Sequence, residues 1–266
     1  MDYKEFEKYK SIVDERLEKV YKDGPKLLKE PIDYILKGGK RVRPILCMLS
    51  YEAFNKKICN ELISTAVAIE LLHIFSLIHD DIMDNDKLRH GKETIHCRWN
   101  VPIGILSGDA VLALAIKEIS NSSDNTKEKF NEALLKVCEG QALDIEYESL
   151  GSLEIDDYFN MISLKTGHML GLSAQLGALL ADVDLNISKS FMDFGLLLGE
   201  AFQLQDDLLE IISTKEEMGK SLMSDVALNK KTYLFLIAHK YFPQELGDLF
   251  DKFKLDNSKL NKKYRE

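Results

Sequence analysis

Positive charge is in short supply. Thirty-five lysines and arginines stand against 44 aspartates and glutamates, a formal −9 at neutral pH, which excludes the broad basic footprint of a nucleic-acid binder. Cysteine is scarce as well. Cys47, Cys59, Cys97 and Cys138 fall singly, without the close pairs of a zinc or redox motif, so the chain reads as one made for a reducing cytoplasm. The opening stretch MDYKEFEKYKSIVDERLEKVYKDG is charged throughout and lacks the apolar centre of a secretory signal. No segment reaches the roughly 18 uninterrupted apolar residues of a membrane span. Proline (5) and glycine (15) are few in 266 residues, and strict apolar/polar alternation is almost absent, which excludes a fold built on sheets.

What is present is apolar periodicity at three and four residues. It predicts helices from Asp2 to Lys22, Leu28 to Leu36, Pro44 to Asn55, Ile58 to Asp84, Ile103 to Asn121, Asn125 to Leu150, Glu154 to Leu180 and Ser188 to Ser213, with shorter ones from Ser224 onward. Glycine, proline and asparagine clusters such as KGGKRVRP (Lys37 to Pro44) and NVPIG (Asn100 to Gly104) supply the breaks. No linker or repeat divides the chain, so residues 1–266 are read as a single all-α domain. Ala66 to Ile78 and Met169 to Leu180 are apolar nearly all round and belong at the centre of a bundle.

Against that background the stretch SLIHDDIMDNDKLRHG (Ser76 to Gly91) is unexpected. Asp80, Asp81 and Asp84 stand at i, i+1 and i+4, and the reading places all three on one face at a helix C-terminus, where they repel one another and call for a cation. More than a hundred residues later, GEAFQLQDDLLEI carries Gln203, Asp206, Asp207 and Glu210 at i, i+3, i+4 and i+7, a polar stripe expected to face water. Two carboxylate clusters without histidines at ligand spacing favour magnesium over zinc, because magnesium takes one or two carboxylates per ion and completes its shell with water and phosphate. The plain alternative is two solvated acidic patches.

Cations supply the other half. Lys37, Lys40, Arg41 and Arg43 surround Gly38 and Gly39 in a turn entering a helix at Pro44, an arrangement that suits a phosphate. Further cations follow in KLRHGK, in LKTG with Lys165 and Thr166, in MGKSL with Lys220, and in NKKT with Lys230 and Lys231; His73 lies two helical turns before Asp80. The set suggests two polyanion sites, one bridged by metal and one held directly by lysine and arginine.

GGKRVRP, ELLHIFSLIHDDIMD, GQALD, LKTG, GEAFQLQDDLLE and GKSLMSD, in that order from about Lys37 to Asp225, resemble the trans-polyprenyl diphosphate synthases of the short-chain type. The resemblance implies an isoprenoid-synthase-type helical bundle around a deep central cavity, a homodimer, cytoplasmic and without a membrane span. It implies condensation of isopentenyl diphosphate with an allylic diphosphate, giving geranylgeranyl or farnesyl diphosphate. Asp80, Asp84 and Asp206 match ligands of three magnesium ions on the allylic diphosphate, with Asp81 and Asp207 in support. Arg89, Lys165 and Lys220 match cations on the same diphosphate. Lys40, Arg43 and His73 match the isopentenyl diphosphate site, and Thr166 and Gln203 match polar groups that stabilise the allylic cation. The released pyrophosphate is the expected base.

Two departures from the family pattern stand out. Arg89 is followed by His90 where a second arginine is common, which weakens one phosphate contact and makes it pH-dependent. Glu210 replaces an aspartate. An isoprene unit is about as long as the roughly 5.4 Å helical pitch, so bulk upstream of Asp80 limits chain growth. Phe75 resembles the floor of twenty-carbon enzymes, yet helical arithmetic puts Ser76 closer to the Asp80 face, leaving fifteen or twenty carbons open. A terpene cyclase or head-to-head prenyltransferase of the same fold, and a non-catalytic subunit of a heteromeric synthase, are the competing readings.

Overall fold

The computed structural model describes residues 3–54, 57–150, 153–213, 230–253, 260 and 263–264. Helices dominate them: α1 (Tyr3–Leu17), α2 (Lys26–Ile35), α3 (Val42–Glu52), α4 (Asn60–Met83), α5 (Ile95–Arg98), α6 (Val101–Ile119), α7 (Asp124–Glu148), α8 (Ile155–Ile162), α9 (His168–Leu180), α10 (Leu185–Ile212), α11 (Tyr233–Tyr241) and α12 (Pro243–Phe253). The all-α expectation holds, with boundaries shifted by a few residues. Several helix starts are written in side chains. Asn100 accepts from the Ile103 amide at 2.9 Å, Ser123 from Thr126 at 3.2 Å, and Asp184 from Asn186 and Ile187 at 2.8 and 3.0 Å, each satisfying amides that have no partner within the helix.

α4 is the axis of the bundle. Residues 65–72 are all buried, and α6, α3 and α9 pack around it. It is the one helix among the described residues long and apolar enough to cross a membrane, yet most of that window lies inside the protein. Glu70 interrupts the apolar run, and its burial is explained by Arg41, whose Nη1 donates to Glu70 Oε1 at 2.7 Å while Nε donates to Asp14 at 2.8 Å. Most of the apolar core is one cluster around α4. A smaller one gathers Tyr158, Met161 and Ile162 of α8 with Leu236 of α11.

Two features escape the periodicity. Leu88–Arg89 and Lys92–Glu93 form a short antiparallel hairpin, β1 and β2, with Arg89 opposite Lys92. Its loop, His90 and Gly91, has positive φ at both residues (51° and 74°), the pattern of a type I′ turn. The predicted helix from Glu154 to Leu180 runs as α8 and α9 joined by a π turn, Ser163–Gly167, in which the His168 amide returns to the Ser163 carbonyl.

Glycines expected to punctuate the chain also sit inside helices, because neighbouring backbones come too close for a Cβ. A Cβ on Gly140 of α7 would lie 2.4 Å from the Lys165 amide nitrogen, and one on Gly199 of α10 would lie 2.5 Å from the Gly167 Cα. Close packing of this kind seats the π turn between α7 and α10.

Candidate active site

The end of α4 does not present three equivalent acids. Residues at i and i+4 share a face, but i+1 points about 100° away, so the one-face expectation is corrected. Asp81 turns inward, 2 % exposed. Arg89 donates to its Oδ1 through Nε and Nη2 at 2.8 and 2.5 Å and lies 3.6 Å from Asp86. Burial outweighs the guanidinium and pushes the Asp81 carboxyl up to about 6. Arg89 is thereby fixed in place by the chain itself.

Asp80 and Asp84 face the other way, toward α7 and the π turn. The Asp80 carboxyl is pushed above its ordinary range by burial, with Asp84 adding to the rise and Lys165, Arg89 and Lys230 opposing it. Lys165 Nζ donates to Asp144 Oδ2 at 2.6 Å, and Lys230 Nζ donates to Asp84 at 2.9 Å and to Asp144 at 3.3 Å. Burial alone would raise the Asp144 carboxyl, but the two lysines hold it below the usual carboxylate range. Asp144 and Lys230 therefore belong to the site, though only the GQALD and NKKT strings hinted at them. Asp144 carries no local signal, because its partners lie 21 and 86 residues away.

The second acidic helix departs from expectation. Of the predicted wet stripe on α10, Asp206 and Gln203 are half-buried, whereas Asp207 and Glu210 are buried. The exposed side of α10 is instead largely apolar, with Phe194, Leu197, Phe202 and Leu208 among its exposed residues. Asp207 accepts from the Tyr158 hydroxyl at 2.7 Å, from Gln203 Nε2 at 3.1 Å and from the Tyr233 amide at 3.1 Å. Gln203 Oε1 in turn accepts from Thr166 Oγ1 at 3.0 Å. Asp207 is thus a clamp that orients Gln203 and, through it, Thr166. Among the described residues no three carboxylates, imidazoles or thiols converge to hold a metal by themselves. The donor set fits magnesium shared with a ligand's phosphates, because each acidic helix offers only one or two accessible carboxylates.

The glycine turn builds a second, cationic region. Gly38, Gly39 and Arg41 take φ of 94°, 90° and 55° in near succession, which throws Lys40 outward and Arg41 inward. Arg41 was expected among the anion-binding cations; it is 4 % exposed and committed to Asp14 and Glu70, so it holds the turn instead. Arg43 Nη1 donates to His73 Nε2 at 3.0 Å, while Arg43 Nε is buried without a partner among the described residues. Burial first, then the charges of Arg43, Arg89, His90 and Arg41, hold the His73 imidazole well below its usual value; it is a neutral acceptor. Burial and the charges of Arg89, Lys40 and Lys92 lower His90 as well.

Phe75 is buried and packs edge-on against His79, ring centroids 4.8 Å apart, on the side of α4 that faces α6. Ser76 turns its hydroxyl back to the His73 carbonyl at 2.8 Å. Lys220 lies outside the described residues.

The family model described as Polyprenyl synthetase matches residues 25–266. The short chain isoprenyl diphosphate synthase of Methanocaldococcus jannaschii is 36 % identical over 238 residues, covering 88 % of this chain and 72 % of the relative. The geranylgeranyl pyrophosphate synthase of Geoglobus acetivorans is 37 % identical over 236 residues, covering 85 % and 73 %. Among solved structures, the geranylgeranyl pyrophosphate synthetase of Pyrococcus horikoshii superposes with a TM-score of 0.84 at 34 % identity, over 97 % of this chain and 84 % of that one.

Proposed function

The chain belongs to the polyprenyl synthetase family and is a trans-prenyltransferase, and we propose that it condenses isopentenyl diphosphate with allylic diphosphates to give geranylgeranyl or farnesyl diphosphate. The observation that carries this reading is the pairing of two regions of opposite charge: Asp80, Asp84 and Asp144 with Lys165 and Lys230, and the cations of the glycine turn and hairpin. A cyclase acts on one diphosphate and leaves the second region without a purpose. Two diphosphate substrates use both.

In this reading the allylic diphosphate lies at the carboxylate end, and Lys165 and Lys230 shift their hydrogen bonds from Asp144 and Asp84 to its oxygens as the carbon–oxygen bond breaks. Lys220 and Arg89 complete that positive rim. Magnesium bound by Asp80, Asp84 and Asp206 together with the substrate supplies charge stabilisation to the leaving pyrophosphate. The allylic cation is left beside the Thr166 hydroxyl and the Gln203 amide, both held by Asp207, and away from water. Isopentenyl diphosphate, anchored by Lys40, Arg43, His73 and His90, presents its alkene. The proton lost from the new skeleton passes to an oxygen of the released pyrophosphate, which lies beside the new bond.

Phe75 acts as the floor from the α6 side, with Ser76 on the Asp80 side. Residues 1–266 work as one domain in the cytoplasm, where exposed thiols such as Cys59, Cys97 and Cys138 stay reduced. Two copies join through the outer face of α6, where Val101, Ile105, Leu106 and Ile116 are exposed. The test is incubation with magnesium, labelled isopentenyl diphosphate and separate five-, ten- and fifteen-carbon allylic diphosphates. The expected result is a ladder ending at fifteen or twenty carbons that lengthens in Phe75→Ala. Folded protein that extends no primer overturns the reading.

A further inference from the structure

The position after Arg89 is a histidine, which leaves one diphosphate contact short of a permanent charge. Lys92 stands two residues on, directly across the hairpin from Arg89. Its ammonium reaches back over the glycine turn, with Nζ 3.9 Å from where a Gly38 Cβ would stand. The hairpin cannot swing freely. The Tyr34 hydroxyl of α2 donates to the Glu93 carbonyl at 2.8 Å, Thr94 Oγ1 donates to the Asp86 carbonyl at 2.7 Å, and the Thr94 amide donates to the Lys87 carbonyl at 3.1 Å. Lys92 is therefore carried on a pinned support and held against the one turn whose backbone is opened by two glycines.

Charge adds a second argument. The charges of Lys40 and Lys92 both bear on His90, and neither lysine has an ion-pair partner among the described residues. Arg43 has a hydrogen bond only to neutral His73. Two lysines gathered without an ion-pair partner are unfavourable unless something anionic joins them.

We propose that Lys92 is a binding residue for the diphosphate of isopentenyl diphosphate, supplying from the second strand of the hairpin the permanent charge that His90 does not. The inference rests on the prenyltransferase reading and makes the site a four-element one: the glycine turn, the start of α3, α4 and the hairpin. Specificity follows, because the Lys92 ammonium lies against the glycine turn that carries Lys40 and so is expected to act on one substrate.

The test measures isopentenyl diphosphate affinity by calorimetry without an allylic partner, so that no turnover intervenes, and the steady-state KM for the allylic substrate separately. Lys92→Gln is expected to weaken isopentenyl diphosphate binding about tenfold, the usual worth of a charge-assisted hydrogen bond, while the allylic KM changes less than about twofold. Lys92→Arg retains affinity, and adding His90→Arg to Lys92→Gln restores most of what was lost. A merely structural lysine would not be rescued by an arginine at residue 90. Wild-type affinity in Lys92→Gln, or an equal rise in both substrate constants, overturns the proposal. A wild-type protein that binds no isopentenyl diphosphate overturns the prenyltransferase reading itself.

Discussion

The carboxylate end of α4 and the glycine turn with its hairpin are both dense in charge, but they balance it differently. At the carboxylate end Asp81, Asp84 and Asp144 each have a lysine or arginine within hydrogen-bond reach, and Asp144 is shared by two lysines. At the glycine turn, Lys40 and Lys92 have no ion-pair partner among the described residues, and the side-chain hydrogen bond of Arg43 goes to a neutral imidazole. On the proposed function, one region exchanges partners when a ligand arrives and the other receives the charge it is missing. Ligands at the first must compete with existing ion pairs, so geometry and metal decide their affinity. Ligands at the second are drawn by the charge of the two lysines.

The largest effect should come from removing an acid at the exchanging end. Asp80→Ala is expected to cut turnover by roughly a hundredfold or more, with an unchanged far-ultraviolet circular dichroism spectrum; near-normal turnover would remove Asp80 from the mechanism. Asp144→Asn should both slow the reaction and lower stability, by about 3 kcal/mol at the low end of a broken buried pair, because Lys165 loses its nearest counter-charge. Denaturant titration reads this loss, and unchanged stability would mean that Asp84 and Asp80 already compensate both lysines.

Salt sharpens the contrast further. Uncompensated cations are screened more than interlocked pairs, so raising ionic strength should weaken isopentenyl diphosphate binding severalfold and the allylic substrate distinctly less; equal losses would erase the distinction. The smallest effect is on stability against pH. The folded protein keeps His73 neutral far below the value of about 6.5 at which the unfolded chain protonates it. The unfolded state therefore gains this proton first, and the His73 contribution to stability falls as pH drops below about 6.5, by up to about 1.4 kcal/mol per pH unit, while Asp81, raised to about 6 in the folded state, pulls the other way. His73→Gln, which can still accept from Arg43, should flatten that slope in thermal melts.

Helix periodicity made the architecture legible, because a buried stripe must repeat with the turn of the helix. It also located Asp80 and Asp84, whose four-residue spacing survives in the folded chain. Where it misled, a second interaction had overridden the local pattern. Arg41 turned inward because Asp14 and Glu70 wait there; Asp81 was misplaced by the reading itself, since i+1 lies about 100° from i on a helix, and Arg89 then secures it. The wet stripe on α10 became half buried once Tyr158 and Tyr233 claimed Asp207. Asp144 and Lys92 were unreadable for the same reason, since their meaning lies in elements distant along the chain. The hairpin was overlooked because two residues per strand leave no alternation to detect.

The π turn at Ser163–Gly167 carries one residue more than an even helical path would need. Deleting a single residue there would give a locally more regular helix, and random mutation will offer that deletion repeatedly. Such a chain would rotate α8 against α9 by about 100°. Tyr158 would leave Asp207, or Lys165 would leave Asp144, depending on which side yielded. Length at this one turn is thus a form of information that no substitution can restore, and the irregularity should outlast the identity of most residues around it.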